Sequence, residues 1–423
     1  MILRRLIPLL LRTALLLFPP GLAFAQATPV FSTTGPDAAG FGAAENYPIG
    51  TPQDTNRQGN LVGAYSHYDA LLPSHRITAA GALPFARATA ELKLDYAFAG
   101  AAHDLGDYLA RQPATGLLIA RDRTILFEHY QYARTDRDRF TSQSMAKTVL
   151  GMLVGIAVGE GRIHSLEDRA SAYVPELADT PLGDTPIGAL LTMTSGIAFT
   201  EVYNGRDDMA RMGRDLRGRP ANDPTGNATL AALRPFDQRI AAPGAVWHYS
   251  SLDSELLGLV LRRATGVPVA DYLTSRIWQP MGAEADASWN IDSADQERAY
   301  CCINAVLRDW ARFGVLLAND GRVNGREVIP KQWVLDGTTA AAPSSILAPR
   351  RVTRFFGYGY QLWTMPGPRR QFALMGVHGQ AMLIDAQSKL VLVHTAVRPQ
   401  AARDPMAQEL LALWDALAAQ EGK

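Results

Sequence analysis

Lysine is nearly missing from this chain. Among 41 Lys and Arg residues it occurs only as Lys93, Lys147, Lys331, Lys389 and Lys423. The chain therefore draws its positive charge from a side chain that does not give up its proton. An excess of one sign is missing as well: 41 acidic residues balance the 41 basic ones. No electrostatic footprint for nucleic acid or another polyanion results. Cysteine is limited to the neighbours Cys301 and Cys302, which the geometry of disulfides predicts to be small buried apolar groups without a bridge. The eight histidines include no His-Glu-x-x-His pattern and no Cys pair has ligand spacing, so neither a metal nor another cofactor is expected. Gly-x-Ser-x-Gly is absent too, which argues against the nucleophile elbow of α/β-hydrolases.

Long apolar runs are also scarce. The N-terminus carries Arg4 and Arg5, then Leu6 to Phe18 interrupted by Pro8 and Arg12, then Ala23-Phe24-Ala25. That run is too short to cross a bilayer and has the layout of a secretory signal cleaved after Ala25. A periplasmic or secreted protein with no stable membrane span after cleavage is the expectation.

What the chain does contain is one strongly apolar stretch with a lysine inside it. Phe140-Thr141-Ser142-Gln143-Ser144-Met145-Ala146-Lys147-Thr148-Val149-Leu150 runs into Gly151 to Val158, and from Met145 onward only Lys147 and Thr148 are neither apolar nor glycine. The pattern predicts a helix buried on nearly every side. Ser144 and Lys147 are three residues apart, hence stacked on one helix face. A buried ammonium is costly, so the amine is expected to shift toward its neutral form, a base beside a hydroxyl nucleophile.

Residues 26–80 are rich in Gly, Ala, Pro, Thr and Asn and read as an extended segment draped over the body. Leu92 to Leu109 has helical spacing, and Thr115 to Ala133 reads as a hairpin turning at Arg121-Asp122-Arg123. Helices are expected at Thr185–Gly196, Ser250–Gly266, Val267–Met281 and Val306–Asp320, with a mobile polar passage over Asn204–Asp223. Strands return at Tyr358–Trp363, Phe372–Ile384 and Leu390–Val397 before a closing helix, Pro405–Ala419. Strands at both ends imply an α/β fold: a sheet assembled from residues 81–145 and 300–423, with a mostly helical subdomain, 146–299, inserted. No internal repeat is present.

Two aromatic candidates could complete the chemistry of Ser144. Tyr249, in Trp247-His248-Tyr249-Ser250-Ser251, immediately precedes a helix, and Tyr203 lies in Phe199 to Gly205. A third region, Met375-Gly376-Val377-His378-Gly379-Gln380, has closely spaced glycines that let backbone approach a ligand. Ser144-Met145-Ala146-Lys147, Tyr249-Ser250-Ser251 and Gly376 to Gln380, in this order, resemble the three motifs of the serine β-lactamase and penicillin-binding superfamily. Within it the pattern is most similar to the class C-like branch that holds family VIII carboxylesterases and 6-aminohexanoate-dimer hydrolases.

The resemblance, over about residues 90–400, implies a β-lactamase-like antiparallel sheet flanked by helices. It also implies Ser144 as the acylated nucleophile, Lys147 as its proton acceptor and Tyr249 as the relay to the leaving group. Backbone N–H groups of Ser144 and Val377 would form the oxyanion hole. Tyr203 stands where nylon-oligomer hydrolases carry a substrate-contacting tyrosine. His378, read from its own position on the closing strand, is either a donor near the substrate or a structural strand histidine. Two departures bear on substrate. Leu374-Met375-Gly376 stands where penicillin-recognising members have Lys-Thr-Gly or His-Thr-Gly, and Ser251 replaces the usual asparagine. Both remove groups that grip a β-lactam or a peptide C-terminus. The expected activity is a serine hydrolase acting through an acyl-enzyme on small-molecule carboxylic esters or linear amides. A β-lactamase or D-alanyl-D-alanine peptidase, and a non-catalytic ligand sensor on the same fold, are the alternatives.

Overall fold

The computed structural model describes residues 27–218 and 227–422. The signal-like segment and part of the Asn204–Asp223 passage lie outside the described residues. No helix among the described residues is long and apolar enough to cross a membrane.

The strands that build the two larger sheets, apart from a two-residue one at Ala86–Arg87, are in chain order β1 (Val30–Phe31), β2 (Ser74–Ile77), β3 (Ala114–Arg121), β4 (Thr124–Tyr130), β5 (Phe140–Thr141), β6 (Ala287–Asn290), β7 (Ile303–Ala305), β8 (Gly357–Tyr358), β9 (Trp363–Thr364), β10 (Gln371–Gly376), β11 (Gln380–Asp385) and β12 (Leu390–Ala396). The main sheet has the order β1-β4-β3-β12-β11-β10-β9-β8. Its body is antiparallel, whereas β1 and a two-residue strand at Ala86–Arg87 both pair with β4 in parallel. Segments nearly 300 residues apart thus meet along β3 and β12, where Leu118 faces Val393 and Ile119 faces Leu392.

Both faces of this sheet are covered, so its central strands β3, β11 and β12 are buried almost from end to end and mostly apolar. Alternate side chains serve different cores. Leu118, Ala120, Val391 and Val393 join one cluster, and Leu117, Ile119, Leu390 and Leu392 join the other. The first cluster takes in α3 (Ala146–Gly159), α6 (Ser251–Thr265) and α8 (Leu307–Ala318); the second takes in α2 (Leu105–Arg111) and α10 (Ala407–Glu421). The helix α1 (Leu61–Ser66), the short α4 (Ile187–Leu191), α5 (Asp208–Arg217), α7 (Val269–Leu273) and α9 (Lys331–Thr338) complete the helices that matter below. A smaller sheet, β2-β6-β7-β5, carries the chain into the nucleophile turn.

Several expectations need correction. Leu92–Leu109 is not one helix: it forms a hairpin, Asp95–Phe98 with Ala101–Asp104, before α2. Ala99 and Gly100 both take positive φ and turn the chain, and the Asp104–Asp107 capping box then starts α2. Phe372–Ile384 is two strands, because the chain turns back at Val377-His378-Gly379, where His378 (φ 59°) and Gly379 (φ 93°) are left-handed. Tyr358–Trp363 likewise splits into β8 and β9 around Gln361 (φ 59°). Of the polar passage expected to be mobile, Asp208–Arg217 is the regular helix α5, N-capped by Asp207. The 26–80 segment is more than a drape, since Phe41, Tyr47, Leu61, Val62 and Tyr65 close a small core around Tyr132.

The largest correction concerns cysteine. Cys301 and Cys302 form a disulfide with each other. The expectation assumed an ordinary peptide geometry between neighbours. Here Cys302 adopts a left-handed backbone (φ 74°), and the turn lets the two sulfurs meet.

Candidate active site

Ser144 sits in a 3₁₀ turn, Gln143–Met145, between β5 and α3. The turn is anchored from behind: Ser142 N–H donates to the Ile303 carbonyl (2.7 Å), Ile303 N–H to Ser142 Oγ (3.0 Å), and Cys302 N–H to the Gln143 carbonyl (3.3 Å). Gln143 itself is left-handed (φ 45°), an uncommon conformation of the kind that clusters at functional sites.

One helical turn on, Lys147 is 1% exposed. Its Nζ lies 3.2 Å from Ser144 Oγ, 3.0 Å from Ser251 Oγ and 2.8 Å from the Tyr300 carbonyl. Burial pulls the amine down to about 8, while the charges of Glu201 and Glu255 hold it up. The sealed amine is therefore shifted toward its neutral form, though the two carboxylates keep the shift partial. Tyr249 projects from the loop before α6 with its ring centroid 5.1 Å from Lys147 Nζ, and it lines the same cavity as Ser144. Burial first, and Glu201 second, raise its phenol, so it holds its proton at neutral pH.

Glu201 is the residue that sequence reasoning passed over. Its Oε2 accepts the Ser251 N–H (2.7 Å), and its Oε1 accepts the Ser251 hydroxyl (2.8 Å) and the Tyr203 phenol (2.7 Å). Ser251 opens α6, so the carboxylate also lies at a helix N-terminus, where negative charge is favoured. In the sequence Ser251 stands out only by the amide it lacks, yet its hydroxyl bridges Lys147 and Glu201. The single local signal was an acid two residues before Tyr203, which is too common a pattern to single out.

Gly376 explains how the closing turn reaches the nucleophile. A Cβ there would lie 2.6 Å from the Ser142 carbonyl oxygen and 2.9 Å from Gln143 Cβ. Without one, Val377 comes to the wall of the cavity that also contains Ser144. His378 does not join it. Its ring is buried edge-on to Tyr65, with Nδ1 2.6 Å from the Arg398 carbonyl, and burial holds it below its usual range. Tyr203 does line the cavity, in a left-handed conformation (φ 58°) fixed by its N–H to Asp207 (2.7 Å).

The cavity is about 1270 Å³. One wall is aromatic: Tyr249 stacks on Trp363 at 5.5 Å, with Trp247 and Phe356 alongside. No cluster of His, Cys, Asp and Glu among the described residues could hold a metal ion. A serine and a buried amine within hydrogen-bonding distance, with a protonated phenol beside them in the same cavity, can perform nucleophilic acyl transfer.

A family model described as Beta-lactamase matches residues 86–413. The chain belongs to this family. The 6-aminohexanoate-dimer hydrolase of Paenarthrobacter ureafaciens is 25% identical over 340 residues, covering 79% of this chain and 85% of that one. Esterase EstB of Burkholderia gladioli is 29% identical over 182 residues, 39% of this chain and 44% of that esterase. A solved structure from Bacillus anthracis, named as a candidate 6-aminohexanoate-dimer hydrolase, superposes with a TM-score of 0.76 over 87% of this chain and 96% of its own, at 22% identity. That likeness establishes the fold. Family membership and these relatives make this Beta-lactamase family chain a hydrolase.

Proposed function

We propose that this protein is an exported serine hydrolase that acts through an acyl-enzyme on carboxylic esters or small linear amides. Ser144 Oγ attacks the carbonyl carbon and passes its proton to neutral Lys147. The N–H groups of Ser144 and Val377 receive the developing oxyanion. Collapse of the tetrahedral intermediate breaks the bond to the leaving group, which takes the Tyr249 phenol proton; the proton on Lys147 then restores the phenol. Water attacks the Ser144 ester by the same route in reverse order of roles, releasing the acid.

The observation that carries this reading is the position of Lys147 Nζ, buried and within 3.2 Å of Ser144 Oγ, with the Tyr249 ring centroid 5.1 Å from the same amine. The names of the amide- and ester-cleaving relatives support it. Leu374 offers no cation to a β-lactam carboxylate, which favours esters and linear amides. The apolar stretch at the N-terminus, with its small residues at 23 and 25, supports export.

A substrate panel tests the reading: short-chain p-nitrophenyl esters, 6-aminohexanoate dimer and nitrocefin, assayed with the natural chain, Ser144→Ala and Lys147→Arg. Turnover of an ester or the dimer, lost in both variants, is the expected result. Lys147→Arg keeps the charge and loses the basicity, so full activity in that variant, or nitrocefin as the best substrate, contradicts the proposal.

A further inference from the structure

At one end of the cavity stands a cation with no carboxylate partner among the described residues. Arg398 follows β12, is 3% exposed and is among the residues that line the wall shared with Ser144. Its Nη2 donates to Gln112 Oε1 (3.1 Å), and its Nε is buried with no hydrogen-bond acceptor. It forms no ion pair with a carboxylate of the described residues. The groups around it are neutral: Tyr108, with its phenol proton held by burial, and His394, whose ring burial and the Arg398 charge keep unprotonated, down to about 3. Glu409 is reached only through Gln112, and Arg111 and Tyr96 already occupy it. Asp404 accepts backbone N–H groups from Gln400 and Met406. A buried guanidinium left in this state is costly unless an anion arrives to meet it.

Its place along β10 says which part of a substrate would supply that anion. A Cβ at Gly379 would touch Arg398 Cδ at 3.0 Å and Nε at 3.1 Å, so the stem lies against the turn that carries Val377. The aromatic wall stands further down: Trp363 pairs with Ala373, three residues before Gly376, which is about 10 Å of extended strand. The leaving group must face Tyr249, which stacks on Trp363. The acyl arm therefore extends the other way, toward the turn and Arg398.

We propose that Arg398 binds a carboxylate at the end of the acyl arm, so that the preferred substrates are monoesters or monoamides of dicarboxylic acids. The inference rests on the acyl-enzyme reading above and names its substrate class. Arginine suits the task, because its planar donors match a carboxylate and it stays charged when buried.

Three p-nitrophenyl esters of equal reach test it: the monoester of adipate, the hexanoate and the 6-aminohexanoate, ending in an anion, a methyl group and a cation. The natural chain should rank them in that order by kcat/KM, with the adipate monoester at least tenfold above hexanoate. Arg398→Gln should lower the adipate-to-hexanoate ratio at least tenfold. Should that variant fail to fold, the ranking in the natural chain decides alone. A preference for the neutral or cationic ester, or an unchanged ratio in a folded Arg398→Gln, overturns the proposal. Turnover of none of the three sinks the acyl-enzyme reading itself, which separates the two failures.

Discussion

Replacing Glu201 with Gln should make the enzyme work at lower pH. The carboxylate reaches Lys147 through two hydrogen bonds in series, Nζ to Ser251 Oγ at 3.0 Å and Ser251 Oγ to Glu201 Oε1 at 2.8 Å. Those links keep the charges within about 6 Å of each other. At an effective dielectric of about 20–40 their attraction is about 1.4–2.8 kcal/mol, or about one to two pH units on the amine. Activity needs the neutral amine, so the natural chain should gain kcat/KM as pH rises and level off above about 8. Removing one of the two carboxylates that stabilise the ammonium must lower that midpoint, to about pH 6–7 on the same arithmetic. The assay is the second-order rate of labelling by a fluorophosphonate from pH 5 to 10, which reads nucleophile activation independently of substrate choice. A midpoint that stays at 8 or rises in Glu201→Gln would refute the coupling through Ser251.

Two further variants probe neighbouring parts of the account. Tyr249→Phe should lower kcat for p-nitrophenyl esters less than for the corresponding anilides, because an anilide nitrogen must be protonated to leave and p-nitrophenolate need not be; equal losses would remove the phenol from leaving-group protonation. Gly155→Ala in α3 should destabilise the fold by about 1–3 kcal/mol in denaturant unfolding, through overpacking. Its Cβ would lie 2.3 Å from the ring of Trp333, which is held by its Nε1–H donated to the Gly151 carbonyl at 3.0 Å; unchanged stability would show that α9 can shift away freely.

How much of this was legible in the sequence depended on range. The buried helix, its lysine and the partner serine were written in one local pattern, and the structure places them as the spacing implied. The hairpin β3–β4 and the α6 helix, capped by Ser250 and Gly266, were equally local. The turn at His378 was not, because a non-glycine residue in left-handed geometry leaves no periodic trace. The cysteine pair was misread for a similar reason: a backbone turn at Cys302 decides whether neighbouring sulfurs can meet. Glu201 and Arg398 acquire meaning only from contacts across 50 or more positions, Glu201 with Ser251 and Arg398 with Gln112. Charge balance over the whole chain hid a buried arginine that has no carboxylate partner among the described residues.

The identity of the nucleophile is tested most directly by mapping a covalent adduct. After reaction with a fluorophosphonate, intact-mass analysis should show one equivalent added, and peptide mapping should place it on Ser144, with no labelling in Ser144→Ala. An adduct on any other residue, or one full equivalent on Ser144→Ala, would contradict the account.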